Sequence, residues 1–136
     1  MIIADTSAVY AFYDRADTWN QEVVLLFENT QTLILPASII PEVDYLLGKR
    51  LGRMARMAFL EDLVSGVYEV IQISSDLYTS IQQLEGRYAD LDLGFVDASI
   101  VVLAKSLGCS KIATLDRRHF VPVAREMQFE LLPYRI

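Results

Sequence analysis

Four acidic residues, Asp5, Glu42, Asp97 and Asp116, fall where a parallel α/β sheet concentrates its chemistry. Each has an ordinary reading. Asp5 suits the cap of a following helix. Glu42 and Asp97 suit first helical turns, where the dipole favours an anion by less than about 1 kcal/mol. Asp116, ahead of Arg117-Arg118-His119, fits a turn or half of a surface ion pair. The conjunction says more. Carboxylates about 5 Å apart repel by about 3 kcal/mol per pair at an effective dielectric of roughly 20. Such a cluster destabilises a fold unless it is protonated or holds a cation. Oxygen ligands with no thiolate or imidazole partner suit Mg²⁺ or Mn²⁺, and an acid rim holding one or two such ions is an arrangement that cleaves phosphodiesters.

The elements that position these acids follow from the hydrophobic pattern. Phe95 to Leu107 is almost unbroken in apolar and small residues between Gly94 and Gly108. That length predicts a buried helix with Asp97 in its first turn. Lys111 to Leu115 predicts a strand covered on both faces and ending at Asp116. Upstream, Met1 to Ala4 predicts a strand ending on Asp5, and Thr6 or Ser7 can cap a short helix through Tyr13. Thr18 with Gln21 fits a capping box for the next helix, whose buried face holds Val23, Val24, Leu26 and Phe27. Thr32 to Leu35 predicts a second strand. Ser38 opens a helix that tolerates Pro41 in its first turn beside Glu42, because a first-turn N–H has no partner to lose. Gly48 and Gly52 interrupt it, and another helix runs to Gly66. Val67 to Ile73 predicts a third strand, Ser74 or Ser75 a further helix start, Arg117 to Val121 a short turn, and Phe129 to Leu132 a last strand.

Strands separated by helices imply βαβ crossovers and a parallel sheet between helix layers, in a single domain over residues 1–136. Ligands of such sheets sit at the carboxyl ends of the strands, near the switch in strand order. Four acids from distant parts of the chain are therefore expected on one rim.

Composition narrows the function. A net charge of −6 argues against nucleic-acid binding by bulk positive charge, leaving local cations or metal ions as the means. The single cysteine forms no internal disulfide, and no apolar run reaches membrane length. A cytoplasmic protein with no membrane partner is the expectation.

The opening strand with Asp5-Thr6-Ser7, the Pro41-Glu42 pair, Phe95-Val96-Asp97-Ala98 and Thr114-Leu115-Asp116-Arg117-Arg118 resemble, in order, a PIN domain of the VapC-type toxins of toxin–antitoxin modules. The resemblance spans essentially the whole chain. It implies a five-stranded parallel sheet flanked by helices on both faces and a Mg²⁺-dependent endoribonuclease, with Mn²⁺ as substitute. It also implies a homodimer inhibited by a small cognate antitoxin. Carried over, Asp5, Glu42, Asp97 and Asp116 form the acid set, with Asp5 and Asp97 as the main direct ligands. Glu42 and Asp116 complete the shell directly or through water. Thr6, Ser7 and Thr114 can orient carboxylates or waters, or serve as ordinary caps and turn residues.

Six basic residues are candidates for RNA phosphates: Arg117 and Arg118 beside the acids, and Lys49, Arg50, Arg53 and Arg56 around a helix junction. A solvated face explains the second group equally well. His119, without a fixed partner in sequence, reads as structural, and Asp92 as a solvated loop acid. Two rivals lack their residues. A haloacid-type phosphatase needs an acid at Ser7, and a receiver domain needs paired acids after its first strand and a late-strand lysine. A non-catalytic PIN-like module that works through protein contacts remains the alternative.

Overall fold

A computed structural model describes residues 1–134. Five short strands, β1 (Ile2–Ala4), β2 (Leu33–Pro36), β3 (Glu69–Ile71), β4 (Lys111–Ala113) and β5 (Glu130–Leu132), form one sheet in the order β3-β2-β1-β4-β5. Every pairing is parallel, with Ile3 level with Ile34 on one side and with Ile112 on the other. All residues of β1 and β2 are buried. Successive strand residues point to opposite faces, so both faces of the sheet centre are covered by helices, as a parallel sheet requires. β3 is an edge strand, with Glu69 and Val70 exposed.

Seven α-helices connect the strands: α1 (Thr6–Tyr13), α2 (Asn20–Glu28), α3 (Ile40–Arg50), α4 (Arg53–Val64), α5 (Tyr78–Arg87), α6 (Gly94–Ser106) and α7 (Arg117–Met127). α6 is the expected buried helix. Ala98 through Ala104 are all buried, because α6 packs on β1 and β2 and is covered in turn by α5. Inside it the Ser99 hydroxyl donates to the Val96 carbonyl (2.6 Å) and meets Ser38 Oγ (3.0 Å), so the buried polar group is satisfied. Gly52, at φ +99°, makes the turn between α3 and α4 that a side chain would strain.

Several expectations need correction. The cap of α1 is Asp5 rather than Thr6 or Ser7, and its side chain accepts the Ala8 N–H. α2 begins at Asn20 with Trp19 rather than Thr18 at the cap position, and the Trp19 side chain makes no cap bond. Asp17 instead accepts the Trp19 N–H at 2.8 Å. β4 ends at Ala113, two residues short of the predicted Leu115, because Thr114 and Leu115 turn into the site. The predicted turn at Arg117–Val121 is the start of α7. Pro122 and the charged run Arg117-Arg118-His119 disguised that helix, yet Phe120, Val123, Ala124 and Met127 share one face at helical spacing. Phe120 and Val123 are fully buried.

Candidate active site

Asp5 leaves the end of β1 in extended conformation, and Thr114 leaves the end of the neighbouring β4. These strands flank the point where the strand order reverses. Asp5 is 3% exposed. Its Oδ1 accepts from Ser7 Oγ (2.7 Å) and the Ala8 N–H (2.9 Å), and its Oδ2 accepts from the Thr114 hydroxyl. Ser7 Oγ in turn accepts the Leu115 N–H, and Thr114 Oγ1 accepts the Asp116 N–H, each at 2.9 Å. Ser7 and Thr114 thus tie the two strand ends together through Asp5. Burial raises the Asp5 carboxyl to about 6 against the pull of the Thr114, Ser7 and Ala8 donors, with the Asp116 charge adding to the rise.

Asp97 sits half-buried in the first turn of α6. Burial and the charges of Asp5 and Asp116 push its carboxyl up to about 7, Glu42 adds to the rise, and His119 opposes it. Asp116 caps α7, taking the His119 N–H on Oδ1 (3.1 Å) and facing His119 Nδ1 with Oδ2 (2.7 Å). That contact raises the His119 pKa. Asp97, Asp116 and His119 offer ligand atoms all within 4.8 Å of one another. Glu42, exposed in the first turn of α3, completes the acid lining of a cleft of about 590 Å³ that also holds Asp5, Asp97 and Asp116. Thr6 and Ser7 line the same cleft. The buried Thr6 hydroxyl has no partner among the described residues.

The basic candidates separate. Arg50 reaches the cleft from the last turn of α3, its guanidinium 5.2 Å from the Tyr10 ring centroid. Arg117 turns away and donates to the Pro133 carbonyl at 2.8 Å. Arg56 pairs with Asp44 at 3.6 Å, and Lys49 lies 5.6 Å from the Tyr45 ring. Arg53 and Arg118 are exposed and do not line the cleft. Asp92 is exposed and also outside the lining, whereas Asp17 sits at the rim. The sequence reading missed His119, and the acid set does have an imidazole neighbour. The signal was available only with α7 recognised, because Asp116 and His119 then lie three residues apart across a helix cap.

The sequence profile of the PIN domain matches residues 2–126. This chain belongs to the PIN-domain family. It is 32% identical over 120 residues to ribonuclease VapC26 of Mycobacterium tuberculosis, covering 88% of this chain and 89% of that protein, which places it among the VapC-type members. Its fold is shared with VapC20 of Mycobacterium tuberculosis, a sarcin–ricin-loop-cleaving toxin (TM-score 0.76, 22% identity, 82% of this chain and 87% of the other). It is shared too with VapBC2 of Rickettsia felis bound to a promoter DNA fragment (TM-score 0.70, 18% identity, 99% and 100%). FitAcB of Neisseria gonorrhoeae matches at TM-score 0.69 with 16% identity over 98% and 97% of the two chains.

The PIN-domain site can be tested for a divalent ion by its donors. Five carboxylates, Asp17 at the rim among them, line one cleft, two with pKa values raised by burial and mutual repulsion, and a buried hydroxyl lacks a partner. An oxygen-rich, charge-strained set of this kind fits a hard cation.

Proposed function

We propose that this chain is a Mg²⁺-dependent endoribonuclease, with Mn²⁺ as substitute, and the toxin of a toxin–antitoxin pair. The observation that carries the reading is the gathering of Asp5, Glu42, Asp97 and Asp116, from four separate elements, around one cleft. The 32% identity to a ribonuclease supports the substrate class.

Asp5, Asp97 and Asp116 would hold the metal, with Glu42 completing the set from the cleft mouth. When bound, the ion would neutralise the acid cluster and offset the charge gathering on the phosphate under attack. The chain's own residues prepare that chemistry. Ser7, Ala8 and Thr114 fix the Asp5 carboxylate, so no rearrangement is needed when a cation arrives. His119 fixes Asp116 in the same way. Thr6 offers its unpartnered hydroxyl to a water or a phosphate oxygen.

The chain acts as a single domain over residues 1–136 and as a homodimer in the cytoplasm. A small antitoxin, like the one implied by the VapBC name of a fold relative, holds it inactive. No described helix is long and apolar enough to cross a membrane. The test is RNA cleavage by the purified chain under Mg²⁺ titration, beside growth arrest on expression alone. Asp5→Asn should abolish both while the protein still folds, because Asn caps a helix as well as Asp. An Asp5→Asn protein that no longer cuts RNA but still arrests growth overturns the reading and leaves the non-catalytic binding module, and one that still cuts RNA removes Asp5 from the acid set.

A further inference from the structure

Phe95 and Arg50 are placed oddly for residues with only structural work. Phe95 lies two residues before Asp97 and lines the acid cleft, yet the residue is 52% exposed. Tyr78 of α5, equally exposed, meets it edge-on, with ring centroids 6.2 Å apart and planes at 65°. A ring braced on its side and half open to solvent forgoes much of the burial that normally keeps phenylalanine inside. On the α3 side, Arg50 is the only lysine or arginine among the described residues that lines the cleft. Its guanidinium rests over the Tyr10 ring, whose hydroxyl donates to Asp14 Oδ2 at 2.9 Å. Arg50 is therefore pre-placed, and little side-chain entropy is lost when it takes a ligand.

We propose that the cleft walls form a track for single-stranded RNA, with a nucleobase stacked on Phe95 and a neighbouring backbone phosphate held by Arg50. The inference rests on the nuclease reading and adds what that reading lacks, a means for an acidic chain to grip an acidic polymer. With a net charge of −6, long-range attraction is absent and binding must come from local contacts. An aromatic platform combined with a backbone-tracking cation is the general solution for single strands. It tolerates any sequence, because every base has a π-face. A continuous duplex keeps its bases stacked inward and offers this ring nothing.

The experiment measures binding without turnover. Asp97→Asn protein in Mg²⁺ is titrated into a fluorescein-labelled single-stranded oligoribonucleotide and followed by anisotropy at several salt concentrations. Adding Phe95→Leu should weaken binding roughly tenfold, the effect of losing one stacked base. An oligonucleotide of the same length carrying only abasic sugars should bind with and without Phe95→Leu alike. Adding Arg50→Gln should flatten the slope of log affinity against log salt by about 0.7, one phosphate's worth on a single strand, while Phe95→Leu leaves that slope unchanged. Equal affinity with and without Phe95→Leu, a Phe95→Leu loss that persists on the abasic strand, or an unchanged slope for Arg50→Gln overturns the proposal. So does a Phe95→Leu protein whose sedimentation changes while its RNA affinity does not, because the ring then belongs to a contact between copies. The two readings fail separately. Parent protein that cuts no RNA with any divalent ion sinks the nuclease reading, whereas cutting with unchanged Phe95→Leu affinity sinks only the track.

Discussion

Asp5 shows how one residue can be ordinary and functional together. It caps α1, the bland role open to it in sequence, and the same carboxylate lines the cleft while its Oδ2 accepts from the buried Thr114 hydroxyl. Burial of Asp5 and Asp97 has a consequence for pH. Folded, their carboxyls titrate near about 6 and about 7, against 3.8 for the ordinary side chain. Between roughly pH 4 and pH 7 the folded chain therefore binds more protons than the unfolded one, and stability falls as pH rises across that window. His119, also raised, extends the fall above its ordinary value. Burial of Asp5 alone accounts for up to about 3 kcal/mol. Metal-free protein should thus melt several degrees lower at pH 8 than at pH 5. Millimolar Mg²⁺ should recover the loss through preferential binding to the folded state, and Asp97→Asn should flatten the pH profile and shrink the Mg²⁺ shift. A melting temperature that climbs between pH 5 and pH 8 without metal contradicts this account. The placement of Asp5, Glu42, Asp97 and Asp116 at strand ends and helix starts was readable in sequence because those are local signals. The hold of Arg50 on Tyr10 was not, because it joins α3 to α1 through tertiary packing.

Among the elements, α7 carries the largest lesson. Its interior proline and opening charges outweighed a clear apolar face, and the missed helix took His119 with it. α7 holds the last acid in place, since Asp116 caps it and Phe120 anchors its first turn in the core. Phe120→Ala should cost about 3–5 kcal/mol. Where the variant still folds, its Mg²⁺ affinity should fall with the loosening of Asp116, and calorimetric titration should show the loss. A folded variant with unchanged Mg²⁺ affinity would mean that Asp116 is positioned without help from α7. By contrast, α6 was legible from composition alone. A helix apolar on nearly every face has to be buried, and α6 is covered by sheet on one side and α5 on the other.

Across the whole molecule, charge sets the terms of partnership. An acidic cleft in an acidic chain favours a basic inhibitor. An antitoxin segment that inserts Arg or Lys between apolar anchors should seat in the place of metal or phosphate. Replacing that basic residue with Ala should weaken the complex by about 2 kcal/mol or more in a titration, and co-expression of the intact antitoxin should suppress growth arrest. If the substitution leaves affinity unchanged, the cleft is not where the inhibitor binds. The strand order has a different outcome, in time rather than in space. Asp5 and Glu42 belong to the β1–β2 half of the sheet, and Asp97 and Asp116 to elements made later in the chain. Thr114, which grips Asp5, is itself held by a 2.9 Å bond from its N–H to the Leu132 carbonyl, just beyond the β4–β5 pairing. A ribosome synthesising this protein therefore carries an unfinished acid set until the segment through β5 has emerged and docked. Ribosome-bound chains stalled before Asp116 should cut no RNA, whereas chains released after β5 should.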